Sequence, residues 1–585
     1  MKNSVKSVIS FILASVMLFS MGTSAFATDA QPADNTGIII ATNLVNSLLN
    51  GVFSLLSSLF PTSSIPTAED YFDGESENFY EGTEDFIDSP ADGAKWSLGF
   101  DDESIVPENL ADGSKKYYTG GYFTQKIDSV YDDQKVHAIA LSDGSGRGTA
   151  IFATIDGIGV GNADIRAIRA RAEEKIKAEG IKSDIVAINI NSTHCHTVVD
   201  TQGMSLMLIP QIFINIAANI PFLKPIRSID REFHEIMIDG AAEAIANSYM
   251  NMEDGSLYYY ETERIARDDE KGIYQDDEYA YLRNKRYDTE GYQNFFACFK
   301  FVPDNTDSRS TVFTNIGAHP TTIDRATSKL SADFPAYMEK KINESGSNFM
   351  FIQGAQSPVS VRKDGVQDEG VLNEVNAEIE ADPSVEDYRA AKTLGYEFAR
   401  LIIEGEENAA EVAPLLNVRM SEIKVNLDIG LLQLGATSQL LGFTTVKDSE
   451  SQSGYSIITE VGYIELGTDI VMLTVPGELV PQLVYGNVVD KTEAYLGKDW
   501  EIECTADIIG KDKTVLVMGL CNDAIGYIVP DNDYAPFIAD SLWNTEMGEK
   551  LWGEYHRHYE EMLSAGSTAA SSVMTALNSL TKDAK

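Results

Sequence analysis

Residues 149–196 constrain the fold more than any other stretch, because they read strand, helix, strand, and then two histidines. Residues 149–155 are an apolar β-type run. Residues 163–179 put Ile165, Ile168, Ala172 and Ile176 on one helical face and stop at Gly180, and 185–190 are again apolar. That order is a βαβ unit. Its second strand runs directly into Thr193-His194-Cys195-His196. In an extended chain alternate side chains share a face, so His194 and His196 can address one metal ion or one substrate group, while Cys195 points the other way. The chain has only seven histidines, and a third, His319 in Ala318-His319-Pro320-Thr321, also follows an apolar strand-like run. The combination reads as a zinc site. The competing reading is a surface His-x-His with no ligand, since the long signature of a helical zincin is absent.

The alternation of elements continues along the chain. Hairpins are expected from 295–302 with 311–316, around Pro303-Asp304-Asn305, and from 463–466 with 470–475, around Gly467-Thr468-Asp469. Further strands are expected at 349–353, through 421–441 and at 514–520. The fold class that follows is α/β: mixed β-sheets with flanking helices and a metal site at the carboxyl ends of strands. Reactive residue types fall at those ends, Asp156 first, then His194, His319, Ser357 and Ser360, Glu478, and Asn522 with Tyr527. In sheets of this layout ligands gather outside the carboxyl ends of the strands, so these residues are expected to converge.

Residues 1–27 carry Lys2 and Lys6, an apolar stretch over 8–21 and Ala25-Phe26-Ala27, the pattern of a secretory signal peptide with its cleavage site. The formal net charge is −45, and loss of two lysines makes the processed chain slightly more negative. A field of that sign argues against nucleic-acid partners and against charge-driven docking on anionic lipid. With the signal, it points to a secreted, extracellular protein. Cys195, Cys298, Cys504 and Cys521 are too few in 585 residues for a disulfide framework and are expected to be mostly free and buried. Residues 28–95 comprise an uncharged apolar stretch, 37–60, expected as an interfacial or protein-packed helix, and an acidic linker, 69–92. A hydrolase domain is expected over 96–545 and a helical tail over 546–585.

A hydrolytic zinc centre takes about three or four nitrogen and oxygen ligands and a partner that holds or moves a proton. Imidazoles and one carboxylate can supply the ligands, and Tyr527, in Gly526-Tyr527-Ile528, adds either a phenolate ligand or a donor to a developing oxyanion. Taken in order, Thr193-His194-Cys195-His196, Ala318-His319-Pro320-Thr321, Pro476-Gly477-Glu478, Gly519-Leu520-Cys521-Asn522, Gly526-Tyr527-Ile528 and Tyr534 resemble the neutral, non-lysosomal ceramidases. The resemblance runs from about Trp96 to Tyr534. It includes Trp96-Ser97-Leu98-Gly99-Phe100, Gly120-Gly121-Tyr122, Asp156 and Ser331-Ala332-Asp333-Phe334-Pro335. It implies a zinc ion on His194, His319, Glu478 and Tyr527, with His196 beside the metal as general acid/base. It also sets Ser360, with Ser357 as its rival, on a family serine and Arg267 on a family arginine, both of which would orient the polar head of a substrate.

Two departures from that family stand out. Residues 197–203 replace the Ser-Gly-Pro-Gly-Gly turn that follows its histidines, which implies a rebuilt substrate mouth. Only about fifty residues follow Tyr534, so the family's C-terminal immunoglobulin-like domain is expected to be missing. Residues 204–223 are dominated by Met, Leu, Ile, Phe and Ala, with no charge before Lys224. As core they are a buried helix; beside the metal motif they are an apolar lip over an acyl-chain pocket. The expected activity is a secreted zinc-dependent amidohydrolase that cleaves the amide of an N-acyl, ceramide-like lipid by metal-activated water, with peripheral membrane contact. The alternatives are a zinc hydrolase of the same fold acting on an ester or a soluble acyl amide, and a non-catalytic cell-surface binding protein.

Overall fold

Strand alternation sorts apolar side chains onto two faces of a sheet, and what covers each face decides the architecture. The computed structural model describes residues 64–535, save 123–124, 206–226, 263–280, 285, 288–292, 324–326, 364 and 367, together with 560–584 and isolated residues between 47 and 60. A nine-stranded sheet follows the path β9–β8–β7–β5–β1–β2–β3–β4, with the short strand Ala410–Glu411 pairing off that path with β5. Here β1 is Trp96–Ser104, β2 Lys135–Ser142, β3 Thr149–Ile155, β4 Ile185–Ser192, β5 Glu253–Glu261, β7 Ala297–Pro303, β8 Ser310–Ile316 and β9 Ser347–Gln353. Strand β6, Leu282–Asn284, pairs instead with β10, Val359–Val361.

A five-stranded sheet contains β11 (Leu416–Asn426), β13 (Tyr455–Leu466), β14 (Ile470–Thr474) and β16 (Thr514–Met518) in that order, with β12 (Thr444–Lys447) also on β13. The two-residue strands β15 (Glu478–Leu479) and β17 (Tyr527–Ile528) follow β14 and β16 in the chain and pair in parallel.

The sheets pack face to face between helical layers. In β2, Ile139 and Leu141 join Met420, Met472 and Met518 of the second sheet in one core, while Val136, Ala138 and Ala140 face the opposite way. That outer face is covered by α1 (Asn162–Ala178) and α2 (Arg231–Met250), through Ile165, Ile168, Phe233 and Met237. Helices α3 (Phe334–Glu344) and α4 (Arg389–Gly405) pack on β8 and β9 through Phe334, Met338 and Phe398. The outer face of the second sheet is covered by the C-terminal helix α6 (Ala569–Asp583), which buries Val573, Met574 and Leu577 against Ile423, Val425 and Ile457. The result is a four-layer arrangement of helix, sheet, sheet and helix.

The expected βαβ unit is present as β3–α1–β4, with β3 and β4 paired in parallel, and both expected hairpins form antiparallel pairs. The strand series expected over 421–441 is only partly strand. β11 ends at Asn426 and Gly430–Thr437 form a helix, α5. A short Leu-rich run fits either period, and here Leu432 and Ala436 bury on one face while the Thr437 hydroxyl bonds back to the Gln433 carbonyl.

The acidic segment before Trp96 lies along β11, where Thr83 N donates to the Val418 carbonyl and the Tyr71 hydroxyl to Glu422. Of 37–60 only isolated residues are described. Among them Ser57 and Phe60 are buried, and Ser54 donates to Gln433 of α5. No described helix is long and apolar enough to cross a membrane. The four cysteines are free, and three of them are buried.

Candidate metal centre

His194 lies just past β4, His319 just past β8, and Glu478 opens β15. Two ligand candidates therefore come from the first sheet and one from the chain that continues the second. The Nε2 atoms of His194 and His319 stand 3.2 and 3.1 Å from the same oxygen, Glu478 Oε2. Each ring is tied at its other nitrogen: His194 Nδ1 to the Ile158 carbonyl at 2.7 Å, His319 Nδ1 to the Val359 carbonyl at 2.8 Å. A carbonyl only accepts, so both Nδ1 atoms carry a proton and, in the neutral rings, both Nε2 atoms present lone pairs. Two lone pairs and a carboxylate aimed at one point call for a cation.

The spacing suits zinc. A tetrahedral ion with bonds of about 2.0–2.1 Å sets its ligand atoms about 3.3 Å apart, close to the two observed separations, and all three ligand atoms lie within 4.8 Å of one another.

All three groups are buried. Burial disfavours the His194 imidazolium, but Glu478 outweighs it and raises the pKa; at His319 burial prevails and the pKa falls. Burial alone would raise Glu478, yet the two imidazoles hold its carboxyl well below the usual range, so it stands ionised. Tyr527, also buried, is the register partner of Glu478 in the β15–β17 pair. Paired positions in adjacent strands project to one face, so the two side chains leave the pair on the same side.

His194 has φ +63°, so the chain is not extended there, and simple alternation does not bring the two histidines of the motif together. The bend does. The ring centroids of His194 and His196 are 5.0 Å apart, nearly perpendicular, with His319 at 6.2 Å from His196. Cys195 Sγ turns away to the Ser331 carbonyl at 3.4 Å. Tyr122 lies 5.3 Å from the His196 ring, and Gly121 lets the loop approach, since a Cβ there would sit 2.2 Å from His196 Cγ.

Ser360, in β10, is bridged to His319 through the backbone. Ser357 is fully buried beside Leu479, whose carbonyl its N–H meets. Arg267 lies outside the described residues. Asp156 is buried, accepts from Lys135 N at 3.0 Å, and is pushed up by burial to about 6. Asn522 is a stitch between sheets: its amide oxygen accepts from Ile190 N at 3.0 Å and its amide nitrogen donates to Asn189 Oδ1 at 2.9 Å. Asp333 caps α3 and accepts from Thr322 and Ile323, which fixes the loop after His319.

Sequence reading passed over Gln353. This fully buried side chain takes Ala318 N at 3.0 Å and donates to the Thr193 and Ala318 carbonyls at 2.8 and 2.9 Å, so it ties together the residues that precede both histidines. The available signal was a glutamine closing the apolar run Phe349-Met350-Phe351-Ile352, where an uncompensated amide would be costly. A second cluster, Asp102, His137 and Glu339, already holds a cation: Lys135 Nζ lies 2.7 and 2.9 Å from its two carboxylates.

Fold and donor set define the class, a four-layer α/β protein with a candidate His, His, Glu metal centre at strand ends. No protein-family model matches the chain, and no curated protein matches its sequence. Solved structures do share its fold. The neutral ceramidase from Pseudomonas aeruginosa superposes with a TM-score of 0.53 at 13% identity, over 83% of this chain and 74% of that one. A ceramidase complexed with C2 gives 0.52 at 11% identity, over 83% and 75%.

Proposed function

We propose that this chain is a secreted zinc-dependent amidohydrolase that cleaves the amide bond of an N-acyl, ceramide-like lipid. The observation that supports it most is the meeting of His194, His319 and Glu478 on one point with both Nδ1 atoms already engaged, in a fold shared with neutral ceramidases. Zinc bound there supplies Lewis acidity and lowers the pKa of the attacking water to about 7.

The remaining work falls to side chains. His194, His319 and Glu478 hold the ion, with Tyr527 as fourth ligand or as donor to the developing oxyanion. His196, half-buried beside both ligand rings, takes a proton from the nucleophile and returns it to the leaving amine. Ser360 and Arg267 orient the polar head of the substrate. The apolar lip for the acyl chain expected from 204–223 falls, from 206 on, outside the described residues.

A second reading keeps the site and changes the substrate to an ester or a soluble acyl amide. The altered turn after His196 allows it: Asp200 accepts from Gln202 N, Gly203 N and Ser205 N and so builds a different loop there. Elemental analysis of the pure protein is expected to give one zinc per chain, sharply lowered by His194→Ala or His319→Ala. Hydrolysis assays on N-acyl sphingoid bases, N-acyl amino acids and simple esters then choose the substrate. A full zinc complement in both variants would remove the site, and zinc without turnover of any of the three would leave a binding protein.

A further inference from the structure

Arg286 has a fully buried guanidinium at the meeting of three distant parts of the chain. Its Nη2 donates to Asp533 Oδ2 at 3.0 Å, to the Asp533 carbonyl at 2.8 Å and to Glu561 Oε1 at 2.9 Å, while Nη1 reaches Glu560 Oε2 at 3.2 Å. Tyr287 closes the group, accepting from Arg286 Nε at 3.0 Å and donating to Asp533 Oδ2 at 2.8 Å. So buried an ion cluster is an expensive way to gain stability alone, and its surroundings suggest what else it does.

On one side the cluster adjoins His319. Asn284 Oδ1 accepts from Arg286 N and Tyr287 N at 3.0 and 2.9 Å, which anchors the end of β6. Asn284 is the register partner of Val359 in β10, and the Val359 carbonyl receives both the backbone N–H and the ring Nδ1–H of His319. On the other side it adjoins Tyr527. Glu561 belongs to the C-terminal segment, whose Ser564 is bridged to Gly526. Gly526 in turn offers its carbonyl to Glu478 N. The approach there is so close that a Cβ on Gly526, at φ +84°, would lie 1.5 Å from the Leu563 carbonyl oxygen.

We propose that Arg286 is a positioning residue: it bolts the backbone acceptor of His319 to the C-terminal segment that backs Glu478 and Tyr527, and so sets the two halves of the metal centre at ligand distance. The inference rests on reading His319 and Glu478 as site residues. It also makes 560–564 part of the site's framework.

The test compares two imidazoles within one molecule. His194 takes its backbone acceptor from Ile158, on a different part of the fold from the clamp, and serves as the internal control. In protein labelled with ¹⁵N-histidine, Arg286→Lys is expected to abolish the slow solvent exchange of the His319 Nδ1–H and to spare that of His194. Zinc affinity, read by competition with a chelator, is expected to fall about 10- to 100-fold, as for other residues that orient a ligand. A second variant, Arg286→Met with Asp533→Asn, Glu560→Gln and Glu561→Gln, removes the charges together so that none is left buried alone, and the same selective change is expected. The proposal is overturned if a folded variant leaves His319 exchange and zinc affinity unchanged, if both histidines loosen equally, or if neither variant folds, which would make Arg286 a residue of global stability. Absence of zinc from the wild-type protein would instead remove the reading of the site, while the exchange comparison would still decide the clamp.

Discussion

At the scale of single residues the proposed function gives some groups the task of holding an ion and another that of moving protons. His196 neighbours both ligand rings but is not one of the three groups whose ligand atoms converge, so His196→Ala is expected to retain zinc and to lose roughly 10²- to 10⁴-fold in kcat, about 3 to 5 kcal/mol of barrier. Zinc analysis beside turnover checks it, and loss of zinc would make His196 a ligand. Gln353 is the opposite case, since it touches neither ion nor substrate in this scheme. Gln353→Leu would strand the Ala318 N–H and the Thr193 carbonyl in the interior, at about 1–3 kcal/mol for each. The expected result is a lower melting temperature together with a zinc affinity reduced about 10- to 100-fold; an unchanged affinity would confine Gln353 to folding.

At the scale of elements, α6 belongs to the core of the second sheet. Leu577→Ala is expected to destabilise the whole chain by about 2–5 kcal/mol, seen as a lower midpoint of a single denaturant transition. A separate early transition would make α6 an independent tail. Much of this level was legible in the sequence. The strand at 149–155, the helix after it and the strand from Ile185 were set by apolar spacing alone, and the histidines then fell at strand ends because that is where a βαβ chain changes direction. What spacing could not convey was conformation and distance. The bend at His194 comes from one residue with φ +63°, which no periodicity encodes, and the helix at Gly430–Thr437 came from a run too short to declare its period. Gln353 and Arg286 were equally hidden, because each acts through partners remote in sequence; Asn522 was legible as a strand-end residue, but not as a stitch to Asn189 and Ile190.

At the scale of the whole molecule the acidic composition reaches into the core. Burial raises Asp132 and Asp523 to about 7 and Asp156 to about 6, above an ordinary value of 3.8. A carboxyl whose folded pKa is raised contributes stability that is complete below its unfolded value and is lost as pH rises through the folded one. Glu339 works in the opposite sense: although burial would raise it, His137 and Lys135 hold it at about 2, so its contribution is lost only as pH falls from about 4.5 towards that value. Relief of self-repulsion among 90 acidic and 45 basic residues acts in the same direction as the raised carboxyls. The melting temperature is therefore expected to be higher near pH 5 than near pH 8. Calorimetry across that interval checks it, and a rise with pH would show that the paired carboxylates dominate.

The chain brings His319 and Glu478 together across 159 residues, and the second of them follows a strand that must first find its place in the other sheet. Contacts of such long range close late in folding, so a nascent chain holding only the two histidines has no complete nest for an ion. A protein that leaves the cell unfolded would therefore travel empty. It would take up its metal wherever folding ends, and since most sites of this kind bind copper at least as tightly as zinc, the ion it works with would be chosen by the supply in that place and not by the cytoplasm that made it.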